Sequence, residues 1–321
     1  MVGINSVIAL LKREAIVHAF IRNETSKLRA QKIAKTIDNS ISLDPVIWHF
    51  GDIADYEDVF AATEGIDYIF HCAGFVSFNN KDKDILYKTN IIGTKNIVDA
   101  AIERKVIKLC HVSSVATIGK SLNSKIIDES SEFTFTKKKA AYHISKYYGE
   151  MEVWRGINEG LSAVIVNPSV IIGAGDWNTS SSALFGTIAK GMKYYTPGIT
   201  GYVSVHDVVD CMILLMQSSI SGERFILSAE NIDYKTIFTS IANSIGIEPP
   251  KKEIKKWQVK LVAFISSIVL KNPKITKNTV KSAFSKTYYS SKKIQEMLPF
   301  TFRKIEEEII AVGKIFLQRG V

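Results

Sequence analysis

Two stretches of this 321-residue chain carry side chains suited to moving a proton. Ser113-Ser114-Val115-Ala116-Thr117-Ile118-Gly119 closes an apolar run, and Tyr142-His143-Ile144-Ser145-Lys146 opens a helical one 28 residues beyond Ser114. Residues four apart share one face of a helix, so Tyr142 and Lys146 present side by side. An ammonium beside a phenol lowers the phenol's pKa and makes it a usable acid/base near neutrality. A serine hydroxyl across the cleft can hold a substrate oxygen while the phenol gives or takes its proton. Spacing alone is not specific, because Tyr288/Lys292 and Tyr289/Lys293 repeat it nearer the C-terminus. No strand and loop precede those two pairs, whereas Tyr142 stands between a Ser-Ser strand end and the next buried strand.

The elements that must position these groups alternate. Strands are expected over Ala15–Arg22, Pro45–Phe50, Asp67–Cys72, Lys108–Ser113 and Ser162–Asn167. Helices are expected at Ile4–Lys12, Ser26–Thr36, Tyr56–Thr63, Lys83–Arg104 and Ala141–Glu159. Such alternation predicts an α/β fold, a doubly wound parallel sheet covered on both faces. Tyr68-Ile69-Phe70 and Ala163-Val164-Ile165-Val166 suit strands buried on both sides. From about Gly175 the pattern loosens into Gly, Ser, Thr and aromatics. It tightens into helices at Asp207–Gln217, Tyr234–Ile245, Lys255–Leu270 and Ile305–Gln318. Residues 1–174 are therefore expected to form a nucleotide-binding domain and 175–321 a smaller, mostly helical substrate cap. Part of 200–230 is expected to return to the first domain.

Composition sets the outer limits. Hydrophobic residues at 46% and charged residues at 23% exclude a disordered chain, a collagen-like fibre and a disulfide-stapled miniprotein. The apolar stretch Leu261–Leu270 is half of what a membrane span of about 20 residues requires. The first 15 residues lack a signal-peptide pattern, and Cys72, Cys110 and Cys211 stand far apart in apolar runs, so a reducing, cytoplasmic setting is expected. The six histidines form no metal-ligand spacing, and no metal is expected. The net charge of +9 is uneven: from residue 231 onward there are 17 Lys/Arg against 7 Asp/Glu. A basic third of this kind reads first as a solvated lysine-rich face. An acidic substrate and weak contact with a membrane surface are the other readings, and the lysines are not interleaved with aromatics as in a nucleic-acid binder.

Six motifs in chain order give a resemblance. Gly51-Asp52-Ile53, His71-Cys72-Ala73-Gly74, Asn90-Ile91-Ile92-Gly93-Thr94, Ser113-Ser114, Tyr142/Lys146 and Pro168-Ser169-Val170-Ile171-Ile172-Gly173 resemble the extended short-chain dehydrogenase/reductase superfamily. Within it the chain is most similar to the NAD-dependent epimerase/dehydratase family, on the branch of dihydroflavonol 4-reductases and 3β-hydroxysteroid dehydrogenases. The resemblance implies a Rossmann-type fold. It implies that Tyr142 is the catalytic acid/base, that Lys146 lowers its pKa and holds the nicotinamide ribose, and that Ser114 binds the substrate carbonyl. Asn90 matches the family's helix asparagine, with plain helix packing as its other reading. Asp52 and Ile53 would flank the adenine, Ala73 and Gly74 would run beside the cofactor, and Pro168, Ser169 and Val170 would back the nicotinamide. A homodimer is expected by analogy.

Gly3 matches the last glycine of the family's phosphate-binding turn, but the chain enters a helix at once, where a strand should come first. A start at an internal methionine is the favoured expectation. As written, the chain should lack a central strand, leave sheet edges unpaired and bind cofactor weakly. After the second strand comes Ile21-Arg22-Asn23, with no acid before Glu24, which favours NADP(H) over NAD(H) through Arg22. Val164-Ile165-Val166-Asn167 and Val115-Ala116-Thr117 lack the Arg-aromatic pair and the acids that nucleotide-sugar members carry. The expected substrate is thus a small lipophilic ketone or secondary alcohol, interconverted by hydride transfer. Phe75, Phe78, Trp177, Tyr194, Tyr195 and Tyr202 are candidates for its pocket, each also readable as core packing. An epimerase with retained NAD and a non-catalytic nucleotide-binding protein remain the alternatives.

Overall fold

The computed structural model describes residues 1–119, 126–133, 135, 140–177, 181–259 and 277–318. The first half runs α1 (Val2–Leu11), β1 (His18–Ile21), α2 (Glu24–Ile37), β2 (Ile47–Phe50), α3 (Tyr56–Ala62), β3 (Tyr68–His71), α4 (Lys83–Tyr87), α5 (Gly93–Glu103), β4 (Lys108–Val112) and β5 (Ile126–Ile127). The second half continues with α6 (Ala141–Asn158), β6 (Ala163–Pro168), β7 (Val170–Ile172), α7 (Ala183–Ala189), β8 (Tyr194–Tyr195), β9 (Ile199–Ser204) and α8 (Val205–Gln217). After these come β10 (Glu223–Leu227), β11 (Glu230–Asp233), α9 (Tyr234–Ser244), β12 (Lys252–Glu253), α10 (Lys277–Ala283), β13 (Tyr288–Tyr289), α11 (Lys292–Met297) and α12 (Ile305–Gln318). The expected helix Lys255–Leu270 lies, beyond residue 259, outside the described residues.

The fold is the expected α/β one. Four parallel strands form the main sheet in the order β10-β6-β4-β3. All six residues of β6 are buried, because α8 covers one face of the sheet and α5 and α6 the other. Fully burying an aliphatic side chain such as Val164 or Ile165 stabilises by ~1.5–3 kcal/mol. Strands β1 and β2 form a separate parallel pair. Among the described residues, β3 and β1 each pair on one side only. Helix α1 joins the two sheets by packing at both ends: Val2 enters the α8 core, and Ile8 packs with Val17, Ala34, Leu43 and Val46 beside β1 and β2.

Two expectations need revision. The helix Lys83–Arg104 is not continuous, because a π-helical turn at Lys88–Ile92 separates α4 from α5. Such turns interrupt the regular ladder where a side chain has work elsewhere, and here Asn90 reaches out of the helix to Phe75 and Ser145. The C-terminal part also contains a three-stranded sheet, β11-β9-β7, under α9 and α12. Its strands follow from Ile, Tyr and Val in Ile199–Ser204, whose short alternation the helical reading passed over.

Candidate active site

Strand β4 delivers the first group. Leu109, Cys110 and His111 are fully buried, so the strand is held until it emerges at Ser113. Ser114 then caps a single helical turn, Val115–Thr117, its Oγ accepting from the Ala116 amide at 3.1 Å. Helix α6 delivers the other two. Tyr142 stands in its first turn, and Lys146 one turn later, its Nζ donating to the Val112 carbonyl at 2.9 Å. The Ser114 hydroxyl faces the Tyr142 phenol closely enough to lower its pKa. Ser114, Tyr142 and Lys146 therefore meet at the C-terminal edge of the main sheet, where doubly wound folds place their ligands.

Asn90 completes the group without touching the phenol. Its Oδ1 accepts from the Phe75 amide at 2.7 Å, and its Nδ2 donates to the Phe75 carbonyl and to Ser145 Oγ, each at 3.0 Å. It thereby clamps the Ala73-Gly74-Phe75 backbone to α6. A Cβ on Gly74 would lie 3.6 Å from Asn90 Oδ1 and 3.8 Å from Lys146 Nζ, so this exposed loop runs directly past the lysine.

The electrostatics differ from the expectation in one respect. Burial pushes the Tyr142 phenol above its usual pKa, and the Ser114 hydroxyl opposes that. Lys146 turns its ammonium to the Val112 carbonyl and is itself disfavoured by burial, which brings it down to about 8. Glu150 acts in the opposite direction on the lysine. Beneath them His71 and His111 stack with ring centroids 4.9 Å apart, and burial pulls both below the ordinary range, His71 to about 3. The imidazoles are thus neutral at physiological pH.

The remaining sequence candidates scatter along the same edge. Gly3 lies in the first turn of α1, a Cβ there being 3.5 Å from the Cys72 Cβ. Pro168 ends β6 next to Asn167, whose Nδ2 donates to the Ser114 carbonyl at 3.2 Å. Ser169 is buried with its Oγ unpartnered, and Val170 begins β7. Arg22 follows β1, exposed and across the interval between the sheets, within electrostatic reach of Asp52. Asp52 is paired with Lys88 Nζ at 2.8 Å and accepts from the Ala54 amide. Ile53 turns its side chain into the core against Gly93.

Of the six aromatic candidates, Phe78 meets the Tyr142 ring edge-on at 5.3 Å, and Phe75 is held by Asn90. Trp177, partly buried, packs against Phe185 and Phe316, and Tyr202 is fully buried in the same core. Tyr194 and Tyr195 form β8 at the cap surface, where Lys235 sits over the Tyr195 ring. Reading by motif missed Glu150, Thr117, Asn167 and Arg224, which bond to one another beneath Ser114. The signal for Glu150 was available, since it falls four residues after Lys146 on the same helical face.

These residues fit a nicotinamide nucleotide. Lys146 is buried and has three donors, yet Val112 is its one hydrogen-bond acceptor among the described residues, so ribose hydroxyls can take the others. The first-turn amides of α1 lack helical partners and suit a phosphate. No group of three or more His, Cys, Asp or Glu side chains among the described residues could hold a metal ion.

Comparison with known proteins decides the relationship. The model of the NAD dependent epimerase/dehydratase family matches residues 1–227. The chain belongs to that family. A member of the extended short-chain dehydrogenase/reductase type, it is an NAD(P)-dependent enzyme. A Synechocystis sp. protein carrying the provisional name dihydroflavonol 4-reductase is 29% identical over 307 residues, spanning 92% of this chain and 86% of its own length. Sterol demethylase protein B of Methylococcus capsulatus is 28% identical, spanning 78% of this chain and 74% of its own. The crystal structure of gox2253 superposes over 100% of this chain and 96% of its own, with a TM-score of 0.82 and 25% identity. The Thermus thermophilus UDP-glucose 4-epimerase structure, in complex with NAD, covers 100% of this chain and 97% of its own with a TM-score of 0.76; at 18% identity it supports the fold alone.

Proposed function

We propose that this family member reduces a small lipophilic or aromatic ketone to the secondary alcohol, using NADP(H). The observation that carries the reading is the assembly of Ser114, Tyr142 and Lys146 around one exposed edge, with Asn90 fixing the loop beside them. When bound, the nucleotide supplies the hydride. Tyr142, kept protonated by its burial, gives its hydroxyl proton to the carbonyl oxygen, and this suits the reductive direction. Ser114 Oγ, anchored by the Ala116 amide, donates to the same oxygen while charge develops on it. Lys146 brings a positive charge below the phenol and holds the ribose. Asn90 acts as a positioning residue.

The preference for NADP(H) is supported by exposed Arg22 at the end of β1 and by the lack of a carboxylate there, Glu24 being paired with Lys27. A cytoplasmic homodimer is part of the proposal, supported by exposed Ile85, Ile92 and Tyr148 on adjacent helical segments. Weak membrane-surface contact is supported by exposed Lys190, Lys193, Lys251, Lys252, Lys255 and Lys256 beside Trp257. No described helix is long and apolar enough to cross a membrane.

Steady-state consumption of NADPH and NADH against a panel of aliphatic and aromatic ketones tests the reading. Tyr142→Phe should lower turnover by ~10²–10⁴, and Arg22→Ala should weaken NADPH more than NADH. Full turnover by Tyr142→Phe would refute the mechanism; tightly retained NAD that never exchanges would favour the epimerase alternative instead.

A further inference from the structure

Under the Ser114 loop lies a carboxylate that the chemistry above does not use. Glu150 is fully buried on α6, one turn beyond Lys146. Its Oε2 accepts from Ser113 Oγ at 2.5 Å, Thr117 Oγ1 at 2.7 Å and Asn167 Nδ2 at 2.8 Å. Its Oε1 faces Trp154 Nε1 and Arg224 Nη1, each at 3.4 Å. An isolated buried charge is costly, so a carboxylate surrounded by donors at this depth is built in rather than tolerated.

Two of those donors lead to the reacting groups. Thr117 Oγ1 and Asn167 Nδ2 both also reach the Ser114 carbonyl, at 2.9 and 3.2 Å, so the carboxylate and the Ser114 backbone are gripped by the same side chains. Ser113, the third donor, precedes Ser114 directly. Lys146 stands one turn earlier on the same face of α6. We propose that Glu150 is the positioning residue of this site, fixing the Ser114 turn through Thr117 and Asn167 and supplying the negative charge that Lys146 faces. The proposal rests on the Ser114–Tyr142–Lys146 reading of the site.

The surroundings of Lys146 leave this role to Glu150. From β3 it meets His71 and, just beyond, Cys72; from β4, His111; from its own helix, Tyr142 and Glu150. Burial keeps both imidazoles neutral and pushes the Cys72 thiol up to about 11. Arg224 of β10 stands behind Glu150 and draws on the same carboxylate. A carboxylate serving only to tie α6 to β10 through Arg224 would leave the Ser114 turn untouched, and that difference is measurable in kcat.

The test is a pH titration of the Lys146 Nζ resonance in the full chain, labelled with ¹⁵Nζ-lysine and assigned by its loss in Lys146→Arg. In Glu150→Gln the midpoint should fall by on the order of 1 pH unit. In Arg224→Gln, which leaves the carboxylate in place and removes the cation behind it, the midpoint should rise. An unchanged midpoint in either folded variant overturns the proposal, so the second decides if the first does not fold. For the other arm, Thr117→Val, close in shape, should lower kcat about 10-fold with KM unchanged; wild-type kcat there would also overturn it. The titration needs no substrate, so a wild-type chain that reduces no carbonyl would sink the proposed function while the lysine midpoints still report on Glu150.

Discussion

Gly149 is where the fold and the site depend on the same few ångströms. A Cβ at this position would lie 2.2 Å from the Asn90 carbonyl oxygen and 3.4 Å from Thr94 Oγ1. Ordinary contact with the carbonyl would require α6 and the π-helical turn to separate by more than 1 Å. In an open helix Gly→Ala stabilises by ~1 kcal/mol, whereas overpacking against rigid backbone costs ~1–3 kcal/mol and sometimes more. Because the clash is with backbone, the upper end applies, and Gly149→Ala should lose about 2 kcal/mol in urea unfolding, with an unchanged m-value. The same displacement stretches the 3.0 Å bond from Asn90 to Ser145 and loosens the clamp on Phe75. Misplacement on this scale costs ~100-fold in turnover. The assay is paired: urea midpoints and kcat for the wild type and the alanine variant in one buffer. A variant that is as stable and as active as the wild type, or more so, would refute the close approach and the positioning role argued for Asn90.

Other perturbations have equally definite signs. Lys146 ionises at about 8 in the folded chain against an ordinary 10.5, so the folded state binds fewer protons between those values. Its contribution to stability therefore rises with pH across that window, by about 2 kcal/mol. Urea unfolding at pH 8 and pH 10 should show this rise in the wild type relative to Lys146→Met. Turnover that depends on the lysine's charge should decline above about pH 8. Asp207 is fully buried and accepts from the Arg303 amide at 3.0 Å and from its Nη1 at 2.5 Å. Arg303→Met strands that carboxylate and should cost about 3 kcal/mol by chemical denaturation. Asn90→Ala should lower kcat more than it raises KM, because its amide holds Phe75 and Ser145 rather than reaching the phenol.

Sequence alone determined the α/β class, and it supplied the order of the motifs along the chain and the expectation that Ser114, Tyr142 and Lys146 come together. These are local signals. Strand–helix alternation follows from burial on two faces, and a Tyr and Lys four apart must share a helical face wherever the helix goes. The interruption at Lys88–Ile92 was not legible, because it arises from Asn90 bonding to Phe75 and Ser145, partners 15 and 55 residues away. Tyr202 could be read as a pocket or a core residue, and its full burial makes it core, since which way an aromatic points depends on what packs over it. The direction of the Tyr142 and Lys146 pKa shifts was likewise a tertiary matter. Adjacent charges can be read from spacing, but desolvation depends on how much of the chain closes over each group, and here burial outweighs the neighbours. Glu150 joins both levels: its spacing from Lys146 is written in the sequence, while its hold on Ser113, Thr117 and Asn167 exists only because β4, β6 and α6 converge on one buried oxygen.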